Sequence, residues 1–124
     1  MNLSIPAWRE GHYLSLEEIL RALGDVCSEF QWTLHADDVA PEPGTDVLLG
    51  LDPGQPLSYS TLLRMVTPQL QVIDGEAVAV DPGSSEKRLL IRAVDSTSWD
   101  IETEMQSVVD KIRECYPWAT ARLD

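Results

Sequence analysis

The sequence predicts a single α+β domain, an antiparallel sheet of about four to six strands with two or three helices packed on one face. Three observations predict it. Apolar and polar residues alternate in several short runs that stop at proline or glycine. Other segments combine a capping residue with apolar side chains at helical spacing. The length, 124 residues, supports one hydrophobic core and leaves too little chain for two.

The first helix is predicted from Ser15, because Ser15 and Glu18 form a capping box in which each side chain can satisfy a free backbone N–H of the first turn. Leu16, Ile19, Leu20 and Leu23 follow at helical spacing, and Gly24 ends the helix unless Cys27 and Phe30 prolong its apolar stripe. Residues 30–36 alternate as a half-buried strand, with Phe30, Trp32, Leu34 and Ala36 on one side. The stretch 40–44, with Pro41 and Pro43, has to be a loop, since neither proline fits a paired ladder. A short strand is predicted at 47–51, stopping at Asp52-Pro53-Gly54.

Ser58 caps a second short helix containing Leu62, Leu63, Met65 and Val66, closed by Pro68. Leu70, Val72 and Ile73 then lead into Asp74-Gly75, and residues 77–80 return. Asp-Gly favours a type I′ turn, so a tight hairpin is expected there. Asp81-Pro82-Gly83 makes the next turn and 89–94 another strand. Residues 95–103 allow either a helix capped by Thr97 or a strand on which Trp99, Ile101 and Thr103 alternate; an edge strand is preferred, since Thr103 and Gln106 supply a fresh capping pattern for a terminal helix. That helix is lined by Met105, Val108, Val109 and Ile112 and stopped by Pro117. Residues 118–123 add a closing edge strand. Residues 14–21 also line up with 57–64, a match that shared capping grammar produces in large part.

Composition narrows function more than any motif does. The chain carries 9 Lys+Arg against 21 Asp+Glu, a formal net charge of -12. This argues against nucleic-acid binding, which needs clustered cations, and against an anionic membrane surface. No apolar run approaches the roughly 18 residues of a membrane-spanning helix. Met1 to Glu10 lacks the basic and apolar regions of a secretion signal, so a cytoplasmic protein is expected. Cys27 and Cys115 have no metal or redox spacing and are expected as two buried thiols in a reducing compartment, the alternative being one bridge.

Catalytic signatures are weak. His35 and Asp37 share a face of their strand, with Asp38 opposite, and such a pair can hold a metal or move a proton. A metal usually takes three or four ligands, however, and His12 is the only other histidine, so neither metal nor cofactor is expected. Asp52, Asp74 and Asp81 read as turn residues and Gly75 and Gly83 as turn glycines. Ser84-Ser85 lies in no nucleophile elbow, no phosphate-cradling glycine motif occurs, and neither cysteine has a histidine nearby in sequence.

The charges are segregated along the chain. Between Arg21 and Arg64 there is no Lys or Arg, but Asp25, Glu29, Asp37, Asp38, Glu42, Asp46 and Asp52 lie there. A second cation-free interval, between Arg92 and Lys111, holds Asp95, Asp100, Glu102, Glu104 and Asp110, while Lys87, Arg88 and Arg92 share one strand. In a globule with a radius of gyration of about 14 Å, such segregation leaves a negative field over part of the surface. The expected function is therefore a non-enzymatic binding domain whose Asp37, Asp38, Glu42, Asp46 and Asp52 meet a basic protein, a toxin or an effector. An immunity protein that plugs the positive cleft of a nuclease has this general character, with carboxylates in place of substrate phosphates. The alternatives are a secretion chaperone for an effector, usually a dimer with an apolar groove, and a small enzyme using His35 and Asp37. Trp32 and Trp99 are expected in the core; Trp8 and Trp118 are candidates to anchor a partner.

Overall fold

The strands form by alternation, and the alternation decides which face of the sheet is buried. A computed structural model describes residues 1–39, 54–68 and 71–122. Along the chain these form β1 (Asn2–Pro6), β2 (Trp8–Arg9), β3 (His12–Tyr13), α1 (Leu16–Leu23), a 3-10 turn (Gly24–Val26), β4 (Gln31–Val39), α2 (Tyr59–Met65), β5 (Val72–Val80), β6 (Lys87–Val94), β7 (Ser98–Thr103), α3 (Gln106–Cys115) and β8 (Thr120–Ala121). Six strands make one antiparallel sheet in the order β4-β5-β6-β7-β1-β8, and β2 and β3 make a separate hairpin.

Register across the sheet sets two kinds of row. Leu3, Ile101, Ile91, Ala77 and Leu34 face one another across five strands, and beside them run Ile5, Trp99, Ala93, Gly75 and Ala36. These rows are buried together with Leu16, Ile19, Leu20 and Leu23 of α1, Leu62 of α2, and Val108, Val109 and Ile112 of α3. The helices thus cover one face, and α+β is the fold class. The opposite face carries the intervening row Ser4, Asp100, Arg92, Glu76 and His35.

Both serine caps form. Ser15 Oγ accepts from the Glu18 N–H at 3.2 Å and Ser58 Oγ from the Thr61 N–H at 3.2 Å. Only half of the predicted box is made, because the Glu18 carboxylate turns to His12 Nε2 at 3.0 Å. Gly24 ends α1 at φ 50, a value that favours glycine. Three tyrosine hydroxyls and a buried indole then fix α1 and the segment before it: Tyr59 Oη donates to Leu20 O at 2.5 Å, Tyr116 Oη to Glu18 O at 3.4 Å, and Trp99 Nε1 to Leu14 O at 2.8 Å, while Tyr13 Oη accepts from the Val72 N–H at 3.2 Å.

Several expectations need correction. Asp74-Gly75 is not a hairpin turn but lies inside β5, paired with β4 across a register shift between Ala36 and Asp38 that leaves Asp37 as an inserted residue. In the main sheet a two-residue turn with positive φ at both positions is found instead at Asp95-Ser96, at 49 and 59, closed by Thr97 N–H to Val94 O at 2.9 Å. Aspartate tolerates this conformation, and the turn is braced from β5 by Asp74 Oδ1, which accepts from the Asp95 N–H at 3.1 Å. β7 is an interior strand, because β1, which the sequence reading did not assign, lies along its other side. The N-cap of α3 is Met105, and Thr103 instead ends β7, its Oγ1 donating to Arg88 O at 2.8 Å and accepting from the Met105 N–H at 3.0 Å.

Both cysteines are free, but only Cys27 is buried; Cys115 is exposed at the end of α3. Burial pushes the Cys27 thiol up to about 12. β8 provides the predicted closing edge strand. The strand predicted at 47–51 and the loop at 40–44 lie outside the described residues.

Candidate functional site

The C-terminal half of β4 builds the site. Trp32, Leu34 and Ala36 point into the core, so His35 stands on the open face. The inserted residue of the bulge, Asp37, returns to the same face, and its Oδ1 lies 2.5 Å from His35 Nε2. Both side chains are well exposed, 45% for His35 and 62% for Asp37.

β5 and β6 complete the surroundings. Glu76 is opposite His35, and Arg92 is opposite Glu76. The Arg92 guanidinium meets Glu76 Oε2 through Nη2 at 3.3 Å and Nε at 3.4 Å. At the far side of the sheet Arg122 Nη1 lies 3.3 Å from Asp100 Oδ2. His35, Asp37, Asp74, Gly75, Glu76, Arg92 and Ala93 line an open depression of about 440 Å³. Three carboxylates thus face one guanidinium and one imidazole.

This arrangement attracts cations. Exposed ion pairs such as Glu76–Arg92 contribute roughly 0–1 kcal/mol each and exchange readily for a competing charge. The imidazole, oriented by Asp37, is also able to pass a proton. Among the described residues no group of three His, Cys, Asp or Glu side chains is placed to hold a metal ion, and no helix is long and apolar enough to cross a membrane.

Of the five carboxylates predicted to meet a partner, Asp37 is brought into this depression. Asp38 is placed in β4, opposite Asp74, by its backbone. Glu42, Asp46 and Asp52 lie outside the described residues. The fold adds two carboxylates from a distant part of the chain, Asp74 and Glu76. Asp74 is a strand residue and not the turn residue its dipeptide suggests, and the signal that places it here is alternation: residues 74 and 76 both flank Gly75, which faces the core. The segregation along the sequence is partly undone in space, since Arg122 pairs with Asp100 of the second cation-free interval.

The four tryptophans divide as predicted by burial. Trp32 and Trp99 are at 0% and 2% exposure, Trp8 and Trp118 at 50% and 36%. Trp118 is engaged within the chain, with the Arg9 guanidinium 3.7 Å above its ring and Tyr116 edge-on at 5.9 Å.

No protein-family model, curated protein or solved structure matches the chain. The site therefore has to be read from its own chemistry.

Proposed function

We propose that the protein is a non-enzymatic acidic binding domain that neutralises a basic protein, in the manner of an immunity protein against a nuclease toxin. The observation that carries this reading is convergence: Asp74 and Glu76 of β5 stand with Asp37 of β4 at one corner of the open face, and the turn at Asp95 is held against Asp74 by its backbone N–H. A nuclease needs a positive cleft to hold phosphates, and a carboxylate cluster of this kind competes for the same cations. Its partner is a basic toxin or effector; a net charge of -12 argues against nucleic acid and an anionic membrane surface as partners. Two free thiols suit a reducing cytoplasm as its compartment.

The test is inhibition of a basic nuclease by the purified protein as salt is raised. Inhibition should weaken steeply with ionic strength, as expected for steering between exposed charges. Neutralising the corner together, with Asp37→Asn, Asp74→Asn and Glu76→Gln, should weaken it further. Inhibition unchanged in that triple variant would remove the corner from the mechanism.

The His35–Asp37 contact favours one second reading, a small enzyme in which Asp37 orients the imidazole and the other ring nitrogen acts as the base. On that reading His35→Ala abolishes turnover of a phosphoester or ester substrate while the thermal unfolding curve stays in place. On the binding reading no such turnover exists to lose.

A further inference from the structure

The β2–β3 hairpin stands at the same end of the sheet as the acidic corner. β1 ends at Pro6 opposite Ser98, and the Ala7 N–H then donates to Thr97 O at 2.9 Å, tying the hairpin to the β6–β7 turn. On the returning strand Tyr13 is joined to Val72, two residues before Asp74. The hairpin turns at Glu10-Gly11, both with positive φ, and is braced from the side by Arg9 on Trp118 and by His12 on Glu18.

This bracing holds Trp8 in place. Its ring packs against Tyr13 with centroids 5.2 Å apart, yet half of its surface stays in solvent. The core is already served by Trp32 and Trp99. Around this end stand Glu10, Asp37, Asp74, Glu76 and Asp95; of the nearby arginines, Arg9 lies on Trp118, and Arg92 holds Glu76 in the exposed pair that a competing cation can displace.

We infer that this end of the sheet is the docking face, that Trp8 is its anchor, and that its occupant is an arginine-bearing segment of the basic partner. The inference rests on the acidic binding role proposed above and names the side chain that role selects. A guanidinium is planar and weakly hydrated, so it can stack on an indole while donating in a fork to carboxylates; an ammonium offers only its charge. Arg9 on Trp118 shows the same pairing within this molecule. An indole fixed before binding loses little side-chain freedom on contact, which is the character of an interface hot spot.

Titration calorimetry with a nona-arginine peptide and a nona-lysine peptide tests this. Nona-arginine should bind the more tightly, and Trp8→Ala should weaken it about thirtyfold, the smallest loss that marks a hot spot, with little change for nona-lysine. Trp8→Leu keeps bulk without a ring face and should lose as much, which keeps the test valid if Trp8→Ala fails to fold. If both Trp8 variants bind nona-arginine as before while the triple variant of Asp37, Asp74 and Glu76 does not, the anchor is overturned and the acidic role survives. If neither peptide binds the unaltered protein, the acidic role falls as well. A dimer that Trp8→Ala dissolves would overturn the inference in favour of a second copy as the occupant.

Discussion

A Cβ on residue 75 would lie 2.7 Å from the His35 carbonyl oxygen and 3.1 Å from the Ala36 Cα. Gly75 therefore sits where β5 passes under the bulge that turns Asp37 back beside His35. Backbone atoms cannot yield as a side-chain tip can, so Gly75→Ala forces the two strands apart. The expected cost is about 1–3 kcal/mol, the usual range for overpacking, read as a lower urea midpoint. The same variant should lengthen the His35–Asp37 contact, visible as altered imidazole resonances in NMR.

Alkaline pH should unfold the protein. Burial raises the Tyr13 hydroxyl to about 12, against the opposing backbone hydrogen bond from Val72, and raises the Cys27 thiol to about 12. Tyr59 and Tyr116 are raised as well, burial being the largest cause in each. All four groups are neutral in the fold and ionise earlier in the unfolded chain, from about pH 9 for the thiol and 10 for the phenols. Above those values the unfolded state binds fewer protons than the native state, so stability falls as pH rises. It should be complete below pH 9 and lost progressively toward pH 12, measured by far-UV circular dichroism. Tyr13→Phe should reduce the steepness of the loss.

The helix capped by Ser15, the strand around Trp32, the turn at Asp81 and the terminal helix were legible because each is specified by neighbours in sequence. Asp74-Gly75 misled because the same dipeptide serves two geometries. A turn needs its positive φ, whereas a bulge opposite needs its missing Cβ, and only pairing with Ala36 and Asp38 distinguishes them. β1 was missed because Leu3 and Ile5 give only two apolar alternations before Pro6; its place beside β7 comes from tertiary pairing. The site was half legible. His35 and Asp37 are separated by Ala36 alone and share a face as expected, whereas Glu76, Asp74 and Arg92 join them through register alone.

Tyr59 ties α2 to α1 across 39 positions of sequence through its hydroxyl on Leu20 O. That carbonyl also accepts from the Gly24 N–H at the end of α1. Tyr59→Phe keeps the ring and removes the donor, so it should cost about 0.5–1.5 kcal/mol, the net worth of one hydrogen bond. Tyr116→Phe should cost less, since its contact with Glu18 O is long at 3.4 Å. Urea unfolding of the two single variants checks the order. Equal losses would show that the rings, and not the hydroxyls, hold α1.

Ser85 closes the loop between β5 and β6 at φ 59, and its backbone N–H donates to Asp81 O at 2.7 Å. The left-handed conformation there comes from the loop, which Asp81 also holds by accepting from the Gly83 N–H at 2.8 Å. A residue with a Cβ costs about 1–2 kcal/mol in that region, and glycine removes most of that strain while adding some freedom to the unfolded chain. Ser85→Gly should therefore stabilise the protein by about 0.5–1 kcal/mol, seen as a higher melting temperature. Gly24→Ala should do the opposite, since Gly24 ends α1 at φ 50 with open space around it and the penalty is purely conformational. If Ser85→Gly lowered the melting temperature, the loop would owe its shape to the serine and not to the Asp81 framework.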